Sequence, residues 1–138
     1  MRKAVINKSI GGFKLSSLAV KWLLEHRSLF VYDAGSLEEW NKEWSDISRF
    51  DSDLGDGVMG NTRDDGLITK DGRVYSYDGY SKSRFDPLLV QVVEEMGDKA
   101  AVEHCRLKVV EIPDDVEVEL EDCDSGEEWF REVSRVYD

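Results

Sequence analysis

Residues 84–97 read RFDPLLVQVVEEMG, and this stretch predicts the best-defined helix of the chain. Asp86 has the short acceptor side chain of an N-cap, Pro87 suits the first helical position, and Gly97 supplies a left-handed stop. Between them Leu89, Val92, Val93 and Met96 recur at i, i+3, i+4, i+7, which makes one apolar stripe on a helix over about 86–97. Downstream, Leu107 to Ile112 (LKVVEI) reads as a buried strand and Pro113-Asp114-Asp115 as the turn that ends it. Val116 to Glu121 alternates strictly, so Val116, Val118 and Leu120 point inward and Glu117, Glu119 and Glu121 into water. Asp124-Ser125-Gly126 turns the chain again, and Glu128 to Val136 returns as a strand.

Upstream, residues 3–8 (KAVINK) predict a strand that Gly11-Gly12-Phe13 breaks. Ser16 or Ser17 caps a helix over about 17–26 with Leu18, Val20, Trp22, Leu23 and Leu24 on its apolar side. Ser28 to Asp33 (SLFVYD) reads as a buried strand. The spacing Ser36-Leu37-Glu38-Glu39 fits a capping box and opens a short helix carrying Trp40 and Trp44. Residues 46–66 are rich in Asp and Gly without a sustained period and predict a long loop. Asp71-Gly72 between Leu67–Lys70 and Arg73–Tyr77 is a hairpin signal, because both loop residues tolerate positive φ. The fold class expected is α+β, with a mainly antiparallel sheet and two packed helices, about 17–26 and 86–97. Residues 1–138 form a single domain, with 34–83 as an inserted hairpin and loop region.

The 138 residues are 41% hydrophobic and 35% charged with a formal net charge of −12, enough apolar content for a core. No window approaches the ~18–20 apolar residues of a membrane span, and the basic start runs into Val5-Ile6-Asn7-Lys8 without the apolar run of a signal peptide. Cys105 and Cys123 make neither a disulfide framework nor a zinc site of usual spacing. These features predict a soluble, cytosolic protein. Charge is uneven: residues 1–27 hold six bases and one acid, whereas residues 91–138 hold sixteen acids and five bases. Such a split either neutralises itself across one fold or orients a partner.

Two separated stretches share a resemblance. Asn7-Lys8, Gly11-Gly12-Phe13 and Leu15-Ser16 near the start, Arg84 with Asp86-Pro87, and Val110-Glu111-Ile112-Pro113-Asp114-Asp115 resemble the motifs of a group of small tailed-bacteriophage proteins of largely unassigned function. The likeness covers roughly 3–27 and 84–135 and leaves 28–83 uncovered. It implies a phage origin, a shared fold and a place of action in the host cytoplasm. It implies no activity.

The most suggestive local pattern is the strand, Gly-Gly, helix start. Lys8 and Lys14 bracket Gly11 and Gly12, and the helix after Ser16 offers unpaired amides, an arrangement that can hold an anion. It is neither a Walker motif nor GxGxxG. The ligand-binding residues this implies are Lys8, Gly11, Gly12, Phe13, Lys14, Ser16 and Arg84. Read as a solvent-edge charge, Arg84 would matter to the ligand and little to folding. The ordinary alternative is that the glycines only turn the chain, Phe13 packs, and Arg84 pairs with Asp86 or a neighbouring glutamate. Arg131 and Arg135 share a parity suited to cross-strand pairing with Glu117, Glu119 and Glu121.

Metal and catalytic patterns are weak. Counted from Asp51, an EF-hand would need glycine at position 6 and glutamate at 12, where Asp56 and Thr62 stand. His104 and Cys105 are neighbours that a strand would point to opposite faces, and His26 lies far away in the chain. No cofactor or metal is expected. The leading functional reading is therefore a non-enzymatic phage accessory protein that binds a host protein or a small anionic ligand. In that role it would be an anti-defence protein sequestering a nucleotide. The alternatives are an acidic DNA mimic that inhibits a host DNA-binding protein, and a small enzyme. Neither direct nucleic-acid binding nor membrane association is expected; a homo-oligomer is compatible with all three.

Overall fold

The structure is a computed structural model that describes residues 1–9, 12–36, 48–49, 59–61, 67–69, 72–79, 82–102 and 105–133. The fold class is α+β, and every strand pairing among the described residues is antiparallel. The elements are β1 (Arg2–Asn7), α1 (Ser17–Glu25), β2 (Val31–Ser36), β3 (Ser48–Arg49), β4 (Met59–Asn61), β5 (Leu67–Ile68), β6 (Arg73–Tyr77), α2 (Pro87–Met96), β7 (Leu107–Ile112), β8 (Val118–Asp122) and β9 (Glu128–Glu132). Short 3₁₀ turns at Ser83–Phe85 and Gly97–Ala100 flank α2. No helix is long and apolar enough to cross a membrane among the described residues.

Both helices form where their caps and stripes predict. In α1 the Ser16 hydroxyl accepts from the Ala19 amide at 3.1 Å, and Ala19, Val20 and Leu23 are fully buried. Leu18, Trp22 and Leu24 pack only partly. The helix ends because Arg27 takes a left-handed φ of 60°, which lets the Ser28 amide reach the Leu23 carbonyl at 3.0 Å and satisfies a last-turn acceptor. In α2 the Asp86 carboxylate accepts from the Leu88 amide at 3.0 Å, and Gly97 stops the helix at φ 60°. Leu89, Val92 and Val93 are buried and Met96 half-buried, as the spacing requires. A fully buried Leu or Val is worth roughly 1.5–3 kcal/mol, so this stripe carries much of the core.

The two helices pack on each other; α1 also meets β2, β4, β5 and β6, and α2 packs on β1, which pairs with β7 from Arg2 opposite Ile112 to Asn7 opposite Leu107. Ala4, Val5, Ile6 and Asn7 are all buried because α2 covers one face of β1 and the C-terminal hairpin approaches the other. A second sheet runs β2-β6-β5-β4-β3. It carries a register shift between Asp33 and Gly35, where Gly35 adopts φ 113° and the Asp33 carboxylate takes its amide at 2.9 Å. The third sheet is the β8–β9 hairpin alone.

Two expectations need correction. Residues 46–66 are not simply a loop, since β3 and β4 pair within this span and β4 joins β5; strands of two and three residues are too short to leave a period. The strand expected at 28–33 begins at Val31, after a turn through Arg27 and Ser28. The hairpin β8–β9 forms a sheet of its own. The capping-box helix with Trp40 and Trp44, the Asp51–Thr62 acidic run as a whole, and residues 134–138 with Arg135 lie outside the described residues.

Candidate functional site

β1 ends in Asn7, and its side chain fastens the chain on both sides. Asn7 Nδ2 donates to the carbonyls of Ser9 at 2.9 Å and Gly126 at 3.0 Å, while its Oδ1 accepts from the Ser9 amide and hydroxyl. Its own amide donates to Glu128 Oε1 at 2.8 Å. Gly12 then turns the chain at φ 85° with no atom near the position of an added Cβ, so glycine is there for its backbone. The turn delivers Phe13, whose ring lies 3.6 Å beneath the Arg84 guanidinium.

Arg84 comes from the 3₁₀ turn that leads into Asp86 and α2, and it is only 3% exposed. Its two Nη atoms fork onto Glu128 at 2.5 and 2.8 Å, its Nε donates to the Gly79 carbonyl at 2.8 Å, and Nη1 also reaches the Val5 carbonyl at 3.4 Å. Every nitrogen of the guanidinium has an acceptor, and its face has a ring. This is what a buried arginine needs to offset its desolvation. Asp86 is engaged elsewhere: it accepts from Ser28 at 2.7 Å and from the Tyr77 hydroxyl at 3.2 Å. Burial pushes the Tyr77 phenol up, with the Asp86 charge adding to the effect.

Above this cluster lies an open cleft of about 610 Å³. One wall is β2 and β6, where Tyr32 stands opposite Ser76, followed by Asp78 and Gly79; the other is the hairpin, with Leu120, Asp122, Gly126 and Glu128. Gly12, Phe13 and Arg84 form its floor. The structure thus brings together three of the residues expected for ligand binding. Lys8, Lys14 and Ser16 are not among the described residues lining the cleft. Lys8 pairs with Glu127 at 3.1 Å. The Lys14 carbonyl accepts from the Val102 amide at 3.3 Å, and the start of α1 meets main-chain carbonyls, with the Ser16 hydroxyl on Lys99 at 2.6 Å and its amide on Ala100 at 2.8 Å. Gly11 lies outside the described residues.

Arg84 is therefore not a solvent-edge charge, and its partner is Glu128 rather than Asp86. Sequence reading missed Glu128 because it stands in a run of acids. One signal was available: Glu128 has the parity of Phe130, whose ring packs on Phe85 at a centroid distance of 5.2 Å. An acid on the inward face of a strand asks for a buried cation.

The hairpin's outer face matches expectation. Glu117 and Glu119 are exposed, and Arg131 bridges Glu121 at 2.5 Å and Glu119 at 2.9 Å. The Arg131 hydrogen bond holds the Glu121 carboxyl below its ordinary range, and the Trp129 indole N–H adds to this at 3.1 Å. At the hairpin turn, the Ser125 hydroxyl beside Cys123 lowers the pKa of that exposed thiol, whereas burial raises that of Cys105. Among the described residues no group of three or more His, Cys, Asp or Glu side chains is placed to hold a metal ion. Comparison with protein-family models, curated proteins and solved structures finds no match to this chain.

Proposed function

We propose that this chain is an accessory protein of tailed-phage type that acts in the host cytoplasm by stoichiometric binding. Its recognition surface is the acidic hairpin, which competes for a basic face where a host protein otherwise holds nucleic acid. The observation that supports this is the hairpin itself. From Val116 to Val133 it carries eight acids against one base, and the single base, Arg131, is shared between Glu119 and Glu121. Alternate residues of a strand stand about 6.6 Å apart, so Glu119 and Glu121 form an evenly spaced acidic row on one face of β8. The hairpin is also held rigidly, through Glu128 on Arg84, Gly126 on Asn7 and Phe130 on Phe85, and a preorganised surface loses less entropy on binding.

Sequestration of a small anion has less support. Lys8 and Arg84, two of the three cations it would use beside Lys14, already face Glu127 and Glu128, so an anion must displace a carboxylate to reach either.

The test is capture from host lysate by wild type and by a Glu117→Gln, Glu119→Gln, Glu121→Gln variant. Wild type should retain basic nucleic-acid-binding proteins at low salt, lose them steeply as salt rises, and release them to added duplex DNA. The variant should melt like wild type and retain far less. Capture indifferent to the three substitutions and to DNA would overturn the proposal.

A further inference from the structure

The cleft beneath the hairpin has a chemistry distinct from the outer face. Its described lining includes the Glu128 carboxylate, forked onto Arg84, and the exposed Asp122 carboxylate. Asp122 and Glu128 stand directly opposite each other in the hairpin register, a like-charge pairing that costs a strand pair stability. Arg84 neutralises Glu128 but adds nothing for Asp122. Tyr32, 50% exposed, lines the wall that faces them across the cleft. The volume of about 610 Å³ falls within the ~300–1,000 Å³ typical of sites for small groups. Arg84 shows inside the molecule what this lining accepts: a planar cation laid on an aromatic face and forked onto a carboxylate.

We propose that the cleft binds a second guanidinium or alkylammonium group, placed against the Tyr32 ring and the Asp122 carboxylate. A cation over a ring and beside a carboxylate gains from both, whereas a phosphate would face the Asp122 carboxylate. The group is either a basic side chain of a protein partner or a free small cation. Its protein source rests on the reading of the hairpin as a surface for a basic partner; the site itself does not.

The test titrates the wild-type protein with an end-blocked Gly-Gly-Arg-Gly-Gly peptide, its citrulline counterpart and agmatine, following backbone amide shifts by NMR. The arginine peptide should shift Gly12, Tyr32, Gly79 and Asp122 and bind about tenfold or more tighter than the citrulline peptide, which keeps the shape and loses the charge. Agmatine binding as tightly as the peptide identifies a free small cation as the source; peptide binding alone identifies a side chain. A Tyr32→Leu, Asp122→Asn variant should weaken binding about fivefold or more while melting within about 2 °C of wild type. Equal affinity for the citrulline peptide, or shifts confined to Glu117, Glu119 and Glu121, would overturn the cleft assignment. Those outcomes leave the lysate capture untouched, so failure of the cleft and failure of the acidic surface are separate results.

Discussion

Arg84 and Glu128, 44 residues apart in the chain, meet as a forked ion pair with side chains only 4% and 8% exposed. Asn7 donates its amide to the same carboxylate, and Phe13 lies under the guanidinium. One buried cluster therefore joins the end of β1, the turn at Gly12 and Phe13, the approach to α2 and the start of β9. Asn7, Gly12, Phe13 and Arg84 all sit in this cluster, and their role there is architectural.

Removing either partner leaves an uncompensated charge in the interior. Arg84→Ala or Glu128→Ala should each cost about 3–5 kcal/mol in urea denaturation. The double change Arg84→Met, Glu128→Leu should recover part of that loss but not all, because the Asn7 amide and the Gly79 carbonyl lose their partners as well. A single variant as stable as wild type would show that the pair does not anchor the hairpin.

Val93 is 6% exposed on the core face of α2. Val93→Asp buries a carboxylate with nothing to pair it, and the domain should be unfolded at room temperature by circular dichroism. Val93→Ile should stay folded, at a cost of about 1–3 kcal/mol for the added methylene.

Two glycines should fail for different reasons. At Gly12 an added Cβ meets nothing within 4 Å but φ is 85°, so Gly12→Ala should cost about 1–2 kcal/mol from the backbone alone, with Gly12→Asn milder. At Gly79 the Cβ would come 3.0 Å from Phe13 Cδ1. Gly79→Ala should therefore displace that ring from Arg84, visible as a changed Phe13 ring environment by NMR even where melting moves little.

The two thiols should differ in reactivity. Cys123 is exposed and its pKa is lowered by the Ser125 hydroxyl; Cys105 is half-buried and its pKa is raised by desolvation. Iodoacetamide at neutral pH should alkylate Cys123 first in the folded protein, followed by mass spectrometry. Equal rates under native conditions would contradict the burial of Cys105.

The Glu121–Arg131 pair makes a pH-dependent contribution. The hydrogen bond from Arg131 sets the Glu121 carboxyl below its ordinary value of 4.5. A carboxyl depressed in the folded state stabilises at pH above its unfolded value, and that contribution disappears as pH falls through the folded value. The melting difference between wild type and Glu121→Gln should thus be full near neutrality, shrink below about pH 4.5 and vanish in stronger acid. The effect should be small, since both side chains are at the surface.

Local chemistry made part of this legible in advance. Asp86-Pro87 and Gly97 bound α2, the Ser16 cap opens α1, and the alternation of Val118 and Leu120 with Glu119 and Glu121 orients β8; each depends on residues within a few positions of one another. The register shift at Asp33–Gly35, the two- and three-residue strands β3 and β4, and the separation of the hairpin as its own sheet left no such period to read.

For the candidate site the division is sharper. By itself the sequence determined that Gly12 turns the chain, that Phe13 follows it, and that the last third of the protein is acidic. It could not tell whether Arg84 was open to a ligand or closed by a partner, because a buried ion pair is a property of two positions 44 residues apart. Only the tertiary structure decided that, by bringing one inward-facing glutamate of β9 onto the one arginine beside α2. A charge removed from water must find its counter-charge in space, and distance along the chain does not record where that is.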